Sequence, residues 1–207
     1  MADSTHYVIR GRLEGRERLR VLARVMRTSS ISLFERVGLR DGLDCLDVGC
    51  GGGDATLELV RRVGPHGKVI GVDIDETKLQ IARAEAAEQG VRNVEFRISA
   101  LSRALLRDGH AERWRSEHRP RLPVLLKRGG FEAVGVGIVQ PVGTEGEVKL
   151  LNPLTMENIA SAVLADGLAS QHEIDDVVRE LYEFAADPNT VAGMPRVVQA
   201  WGRRPVA

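Results

Sequence analysis

The run Leu46-Asp47-Val48-Gly49-Cys50-Gly51-Gly52-Gly53-Asp54 constrains this chain more than any other stretch. It ends a short apolar segment, Leu43 to Val48, and opens an amphipathic one, Asp54 to about Val63, with Leu57, Leu59 and Val60 on the apolar stripe. A second apolar segment, Lys68 to Asp73, closes on Gly71-Val72-Asp73. Strand, glycine turn, helix, strand, acid is the layout of a nucleotide site at the carboxyl ends of parallel strands.

The neighbouring segments extend that layout. Gly64-Pro65-His66-Gly67 is a turn, Asp75 is a candidate N-cap for a helix running to Glu88, and Gly90 is its stop. Val94 to Ile98 reads as a third strand, which makes a β-α-β-α-β run with right-handed crossovers. Two helices are expected before it, Glu14 to about Met26 and Ser30 to Val37. After it, Ala100 to about Trp114 and Leu122 to Lys127 read as helices, Phe131 to Val142 as a strand bent by Gly135 and Gly137, and Thr155 to Asp166 as a helix. Ser170-Gln171-His172-Glu173 is a capping box for a helix to about Ala186, and Met194 to Arg203 is a final strand.

The glycines at 49, 51 and 53 let the backbone approach a ligand closely. In a dinucleotide fingerprint the third glycine would fall at position 54, which is Asp54, and a carboxylate there opposes a bound pyrophosphate. Asp47 adds a second negative group at the strand end. A ligand carrying an ammonium and a sulfonium tolerates both. Asp73 can accept two hydrogen bonds from a ribose diol, a device common to several nucleotide sites, or it can serve with Asp75 to cap the next helix.

Residues 43–98 resemble the first half of a class I S-adenosylmethionine-dependent methyltransferase. Leu46 to Gly53 is similar to that family's glycine-rich motif, and Gly71-Val72-Asp73-Ile74-Asp75 resembles its second motif. The resemblance implies S-adenosyl-L-methionine as cofactor. It places Asp47, Gly49, Cys50, Gly51 and Gly53 along the methionine portion, Asp73 on the ribose and Ile74 on the adenine. Ser99 stands where the family has an acid for the adenine amino group. Tyr7 stands where many relatives carry an aromatic residue over the cofactor. The fold it implies is α/β, a Rossmann-like three-layer sandwich with a mostly parallel sheet and a C-terminal antiparallel strand pair.

The middle of the chain departs from the family. Phe96-Arg97-Ile98-Ser99-Ala100 runs directly into Leu101-Ser102-Arg103-Ala104-Leu105, where a full member would carry about 60 more residues with strands four and five. The fold is therefore expected to be abbreviated, and the cofactor to be held more weakly, since one lost charge-assisted hydrogen bond costs about 1.5–3 kcal/mol. The expected repair is a five-stranded sheet, in which the C-terminal strand pairs antiparallel with Leu43–Val48 and Phe131–Val142 lies outside it. The chain then reads as one domain, 1–207, with an N-terminal helical cap (1–40), a cofactor half (41–99) and a C-terminal half (100–207) containing a helical insertion (153–187).

A chain of 207 residues with 43% hydrophobic residues can bury a core, and its formal net charge of +0 gives no general attraction to nucleic acid or anionic membrane. The arginines between Arg103 and Arg121 alternate with Asp108, Glu112 and Glu117 and read as a solvated helix face. Cys45 and Cys50 have no partner pair at zinc spacing and suit a reducing compartment, so no metal and a cytoplasmic location are expected. No catalytic base is identifiable: His110, His118, Glu145 and Glu147 all have a plain surface reading. The expected function is methyl transfer to a small-molecule acceptor, with no nucleic-acid or membrane partner. The alternatives are a non-catalytic relative that binds the cofactor weakly or serves as an interaction module, and, less favoured, an NAD-dependent oxidoreductase, which Asp73 fits and Asp54 does not.

Overall fold

The computed structural model describes residues 13–99, 122–203 and 205. The expectations for Tyr7, for the helix over Ala100–Trp114 and for the arginine-rich face lie outside the described residues. Those residues form α1 (Leu13–Arg36), β1 (Cys45–Val48), α2 (Asp54–Val63), β2 (Val69–Asp73), α3 (Glu76–Glu88) and β3 (Val94–Ile98). They continue with α4 (Leu122–Arg128), β4 (Glu132–Val139), β5 (Val142–Gly143), α5 (Glu147–Ala165), α6 (Gln171–Ala186), β6 (Ala192–Gly193) and β7 (Val197–Arg203). The chain divides into two compact units, Met1–Met26 with Pro141–Pro195, and Arg27–Gln140 with Arg196–Ala207.

In the second of these units, β1, β2 and β3 form a parallel sheet in that order, as the β-α-β-α-β reading requires. The register places Cys45, Val69 and Val94 abreast, and Asp47, Gly71 and Phe96 abreast. Because side chains alternate across a strand, these two rows share one face. The apolar stripes of α2 and α3 close over it, and Leu57, Leu79, Ala82, Ala86 and Phe96 form a buried cluster with Cys50, beside a second cluster of Val60, Val63 and Val69. Asp75 caps α3 by accepting from the Thr77 N–H at 3.0 Å. Asn93 pins the turn before β2 by donating to the Gly64 and Gly67 carbonyls, both at 2.8 Å. The abbreviated Rossmann-like α/β fold is thus present, with the parallel strands accompanied by separate antiparallel pairs.

The strand order differs from expectation. The C-terminal strand does not pair with β1. Instead β7 pairs antiparallel with β4 in a sheet of their own, and β1 has β2 as its partner among the described residues. Two contacts commit β7 to α1: the Arg36 guanidinium stacks 4.6 Å from the Trp201 ring centroid, and Gln199 Nε2 donates to the Ser29 carbonyl at 3.4 Å. Leu46 and Val48 are 56% and 40% exposed on the sheet face opposite the buried clusters.

Other boundaries also move. The two expected N-terminal helices are one helix, because Arg27-Thr28-Ser29-Ser30 contains neither proline nor glycine to stop it. The bend in β4 lies at a bulge between Glu132 and Gly135, with Ala133 at φ 48°, ahead of the two glycines credited with it. The long strand ends at Val139, and Gln140-Pro141 separates it from β5. The final strand begins at Val197 rather than Met194, and the short β6 lies before the expected span.

In the other unit, α5 begins eight residues earlier than expected and contains Pro153. A proline inside a helix forfeits one backbone bond. Pro153 is fully buried, and the turn before it is anchored by Lys149, also fully buried. The Lys149 ammonium donates to the Thr144 carbonyl at 3.0 Å and to Thr190 Oγ1 at 2.7 Å, with a further short bond to the Asp187 carbonyl. These bonds tie the start of α5 to the segment after α6, next to the β5–β6 pair. The capping box of α6 is formed as the sequence indicates: Ser170 Oγ accepts from the Glu173 N–H at 3.3 Å, and Glu173 Oε2 accepts from the Ser170 N–H at 2.8 Å.

Candidate cofactor site

The site lies at the carboxyl ends of β1 and β2. β1 continues its pairing into the turn, where the Gly49 and Cys50 N–H groups both donate to the Val72 carbonyl, at 2.7 and 3.1 Å. The chain then turns through Gly49, Gly51 and Gly53 at φ 82°, 54° and 86°, the left-handed region that a side chain disfavours. Gly53 is the N-cap of α2, and its carbonyl accepts the first helical bond from the Leu57 N–H at 2.8 Å.

These glycines are not equivalent. A Cβ on Gly49 or Gly51 would meet nothing within 4 Å among the described residues. A Cβ on Gly53 would press on Ala82 at 3.0 Å and Phe96 at 3.2 Å, so this glycine serves helix–strand packing. Gly71, directly behind the turn, would collide with Phe96 at 2.8 Å and with Cys50 Sγ at 3.1 Å. The Cys50 side chain is therefore part of the core, and only its backbone lines the turn. Burial, followed by the nearby Asp47 and Asp73 carboxylates, pushes the Cys50 thiol up to about 12, which keeps it protonated.

Asp73 closes the site from β2. The side chain is buried, with Oδ2 accepting from the Gly51 N–H at 2.9 Å and Oδ1 from the Asp75 N–H at 3.0 Å. The helix cap is supplied by Asp75, so the alternative in which Asp73 serves only as a cap gives way to one in which it joins the glycine turn to β2. An ionised carboxylate offers about four lone-pair positions. Among the described residues two are used, one on each oxygen, leaving one acceptor position on each. Ser99, at the end of β3, donates its N–H to the Asp73 carbonyl at 3.2 Å. Ile74 follows Asp73 and is 44% exposed.

Asp47 is the second carboxylate. Its Oδ2 accepts from Thr56 Oγ1 at 2.7 Å, and Thr56 is fully buried in the first turn of α2. Burial raises the Asp47 carboxyl above the ordinary range, the Thr56 hydroxyl pulls it back, and the Asp73 charge raises it further. Thr56 is the site residue that sequence reasoning missed. Its signal was a hydroxyl residue three positions after the last glycine, at the end of the helix that faces the strand. Asp47, Gly49, Gly51, Asp73, Ile74 and Ser99 are brought together at the strand ends, while Cys50 and Gly53 turn their α-carbons toward the core. Among the described residues no group of His, Cys, Asp and Glu is arranged to hold a metal ion, and no helix is long and apolar enough to cross a membrane.

Comparison with known proteins falls on this same stretch. The methyltransferase domain family matches residues 39–108. A demethylmenaquinone methyltransferase of Lactococcus lactis is 48% identical over 63 residues, 30% of this chain and 25% of the relative. A nocamycin O-methyltransferase of Saccharothrix syringae is 46% identical over 66 residues, 32% of this chain and 24% of the relative. Among solved structures, an S-adenosylmethionine-dependent methyltransferase from Aquifex aeolicus aligns at 33% identity and TM-score 0.33, covering 34% of this chain and 37% of that one. The chain thus spans about a quarter of the length of these two curated relatives. Over residues 39–108 the chain is thus similar to S-adenosylmethionine-dependent methyltransferases.

Proposed function

We propose that this chain binds S-adenosyl-L-methionine and transfers its methyl group to a small-molecule acceptor. The observation that carries the reading is the buried Asp73 carboxylate, held by the Gly51 and Asp75 N–H groups with one acceptor position left on each oxygen among the described residues. Those two positions suit the two hydroxyls of a ribose. Gly49 and Gly51 leave open space for the methionine portion, and Asp47 supplies a carboxylate for its ammonium. Cys50 and Gly53 contribute backbone, Ile74 an apolar surface for the adenine, and Ser99 a neutral group beside its amino edge. When bound, the cofactor supplies an already activated methyl, so the protein's task is chiefly to position donor and acceptor. The curated relatives, named for demethylmenaquinone and nocamycin, favour a small organic acceptor. On this reading the chain is a single methyltransferase-like domain with a helical insertion over 153–187, and its free thiols suit the cytoplasm.

Among the described residues β1 pairs with β2 alone, which favours a second reading, in which the chain binds the cofactor without turning it over. One experiment separates the two. Calorimetric titration with S-adenosylhomocysteine is expected to show saturable binding that Asp73→Ala reduces at least about a hundredfold, since two charge-assisted bonds are lost. Binding accompanied by methyl transfer to a quinol or phenol panel supports the enzyme, and binding without any transfer supports the second reading. A folded wild-type protein that does not bind overturns both.

A further inference from the structure

We propose that Thr56 is a positioning residue for the cationic end of the cofactor: its hydroxyl, donated to Asp47 Oδ2 from the first turn of α2, holds that carboxylate in place. The inference rests on the cofactor reading above. It goes beyond that reading by assigning a role to a side chain outside the glycine turn that touches no ligand itself.

Three features of the geometry support it. The bond is short, 2.7 Å, and joins two elements, β1 and α2, across the turn that would receive the ligand. Thr56 is fully buried, so solvent does not compete for its hydroxyl. A threonine within a helix commonly donates back to the carbonyl one turn earlier. In the first turn of α2 the hydroxyl is committed to Asp47 instead. The bond occupies Oδ2, and Oδ1 has no hydrogen-bond partner among the described residues, which leaves it for an ammonium.

The electrostatic setting gives this bond a task. Among the described residues the groups facing Asp47 are Asp73 from β2, Cys50 from the turn and Thr56 from α2. Asp73 repels the ionised form, the protonated Cys50 thiol carries no charge to offset it, and burial disfavours it most. Among the described residues, the Thr56 hydroxyl is the neighbour that favours the charge. Without it Asp47 would hold its proton to higher pH, and a neutral carboxyl attracts an ammonium poorly.

The test follows the Asp47 carboxyl carbon by NMR through a pH titration of carbon-13-labelled protein without ligand, in wild type, Thr56→Val and Thr56→Ser. The midpoint is expected to rise in Thr56→Val and to return to the wild-type position in Thr56→Ser. Thr56→Ala removes the hydroxyl with a smaller side chain and should reproduce the rise if valine disturbs the packing. Val60→Ala, a core change on the same helix, is expected to lower stability and leave the midpoint where it was. S-adenosylhomocysteine affinity should fall about tenfold in Thr56→Val, more at pH 6 than at pH 8, and recover in Thr56→Ser. An unchanged midpoint in both hydroxyl-free variants, with wild-type binding intact, overturns the Thr56 role and leaves the cofactor reading standing. A shifted midpoint in a wild-type background that binds nothing overturns the cofactor reading, and with it the purpose assigned to Thr56.

Discussion

The turn after β1 and the β4–β7 ribbon are both built on glycine, and the space above those glycines differs. At Gly49 and Gly51 nothing among the described residues lies within 4 Å of where a side chain would begin. At Gly135 a Cβ would sit 2.5 Å from the Trp201 ring, and at Gly202 it would sit 3.1 Å from Phe131. The ribbon's glycines are seats already occupied by the chain's own aromatic side chains. Among the described residues the turn's glycines are seats left open, flanked by the buried Asp73 and the half-buried Asp47. Sequence composition alone does not separate the two cases, since both are glycines among valines. What separates them is whether a large side chain from another strand arrives to fill the gap.

The sharpest way to break the contrast is at the edge of β1. The Cys45 N–H donates to Lys68 and the Gly49 N–H to Val72, and alternation directs the Leu46 and Val48 N–H groups to the opposite, outer edge. Their amides are expected to exchange about a thousandfold faster than that of Asp47 in native-state hydrogen exchange. Equal protection across Cys45–Val48 would show that another strand covers the edge, as the five-stranded arrangement requires. The region would then be filled like the ribbon.

The next largest effect is steric. Gly135→Ala drives a methyl into the Trp201 ring and is expected to cost about 1–3 kcal/mol of stability by denaturant melting, with S-adenosylhomocysteine affinity unchanged. Gly51→Ala should do the reverse. Its positive φ costs about 1–2 kcal/mol, no described atom is displaced, and the methyl enters the space where the cofactor is proposed to bind, so affinity is expected to fall more than tenfold. If Gly135→Ala weakened binding as much as Gly51→Ala, the ribbon and the turn would not be separable in function.

How much of this was legible beforehand follows the same division. The β-α-β-α-β run, the Asp75 cap and the Ser170 capping box were readable because each depends on residues a few positions apart. The placement of β7 was not, because it depends on Trp201 meeting Gly135 and Arg36, contacts that no local pattern announces. The helix through Pro153 was missed for a related reason: proline argues for a stop, and the buried Lys149 that anchors the turn before it finds its acceptors about 40 residues further along. In the site, Asp47, Asp73 and the glycines carry a recognisable spacing. Thr56 does not, since a hydroxyl in a first helical turn has many ordinary uses.

The smallest predicted effect concerns what the open turn costs the fold. A carboxyl whose folded value is raised by burial keeps its proton to higher pH than it does in the unfolded chain. Between the ordinary carboxylate range and the raised value, the folded state therefore binds more protons, and stability falls as pH rises. Burial is the largest influence on Asp47, so its ionised form opposes folding at neutral pH. Asp47→Asn keeps a carbonyl oxygen for the Thr56 hydroxyl and removes the charge beside Asp73. The variant is expected to melt slightly higher than wild type at pH 8, with the difference vanishing as pH drops below the ordinary carboxylate range, while its affinity for S-adenosylhomocysteine falls. A variant less stable than wild type at pH 8 would mean that the charged bond to Thr56 contributes more than burial costs. Asp47 would then belong with the packed glycines of the ribbon, as part of what holds the fold, and the open turn would lose its claim to be strained for a ligand's sake.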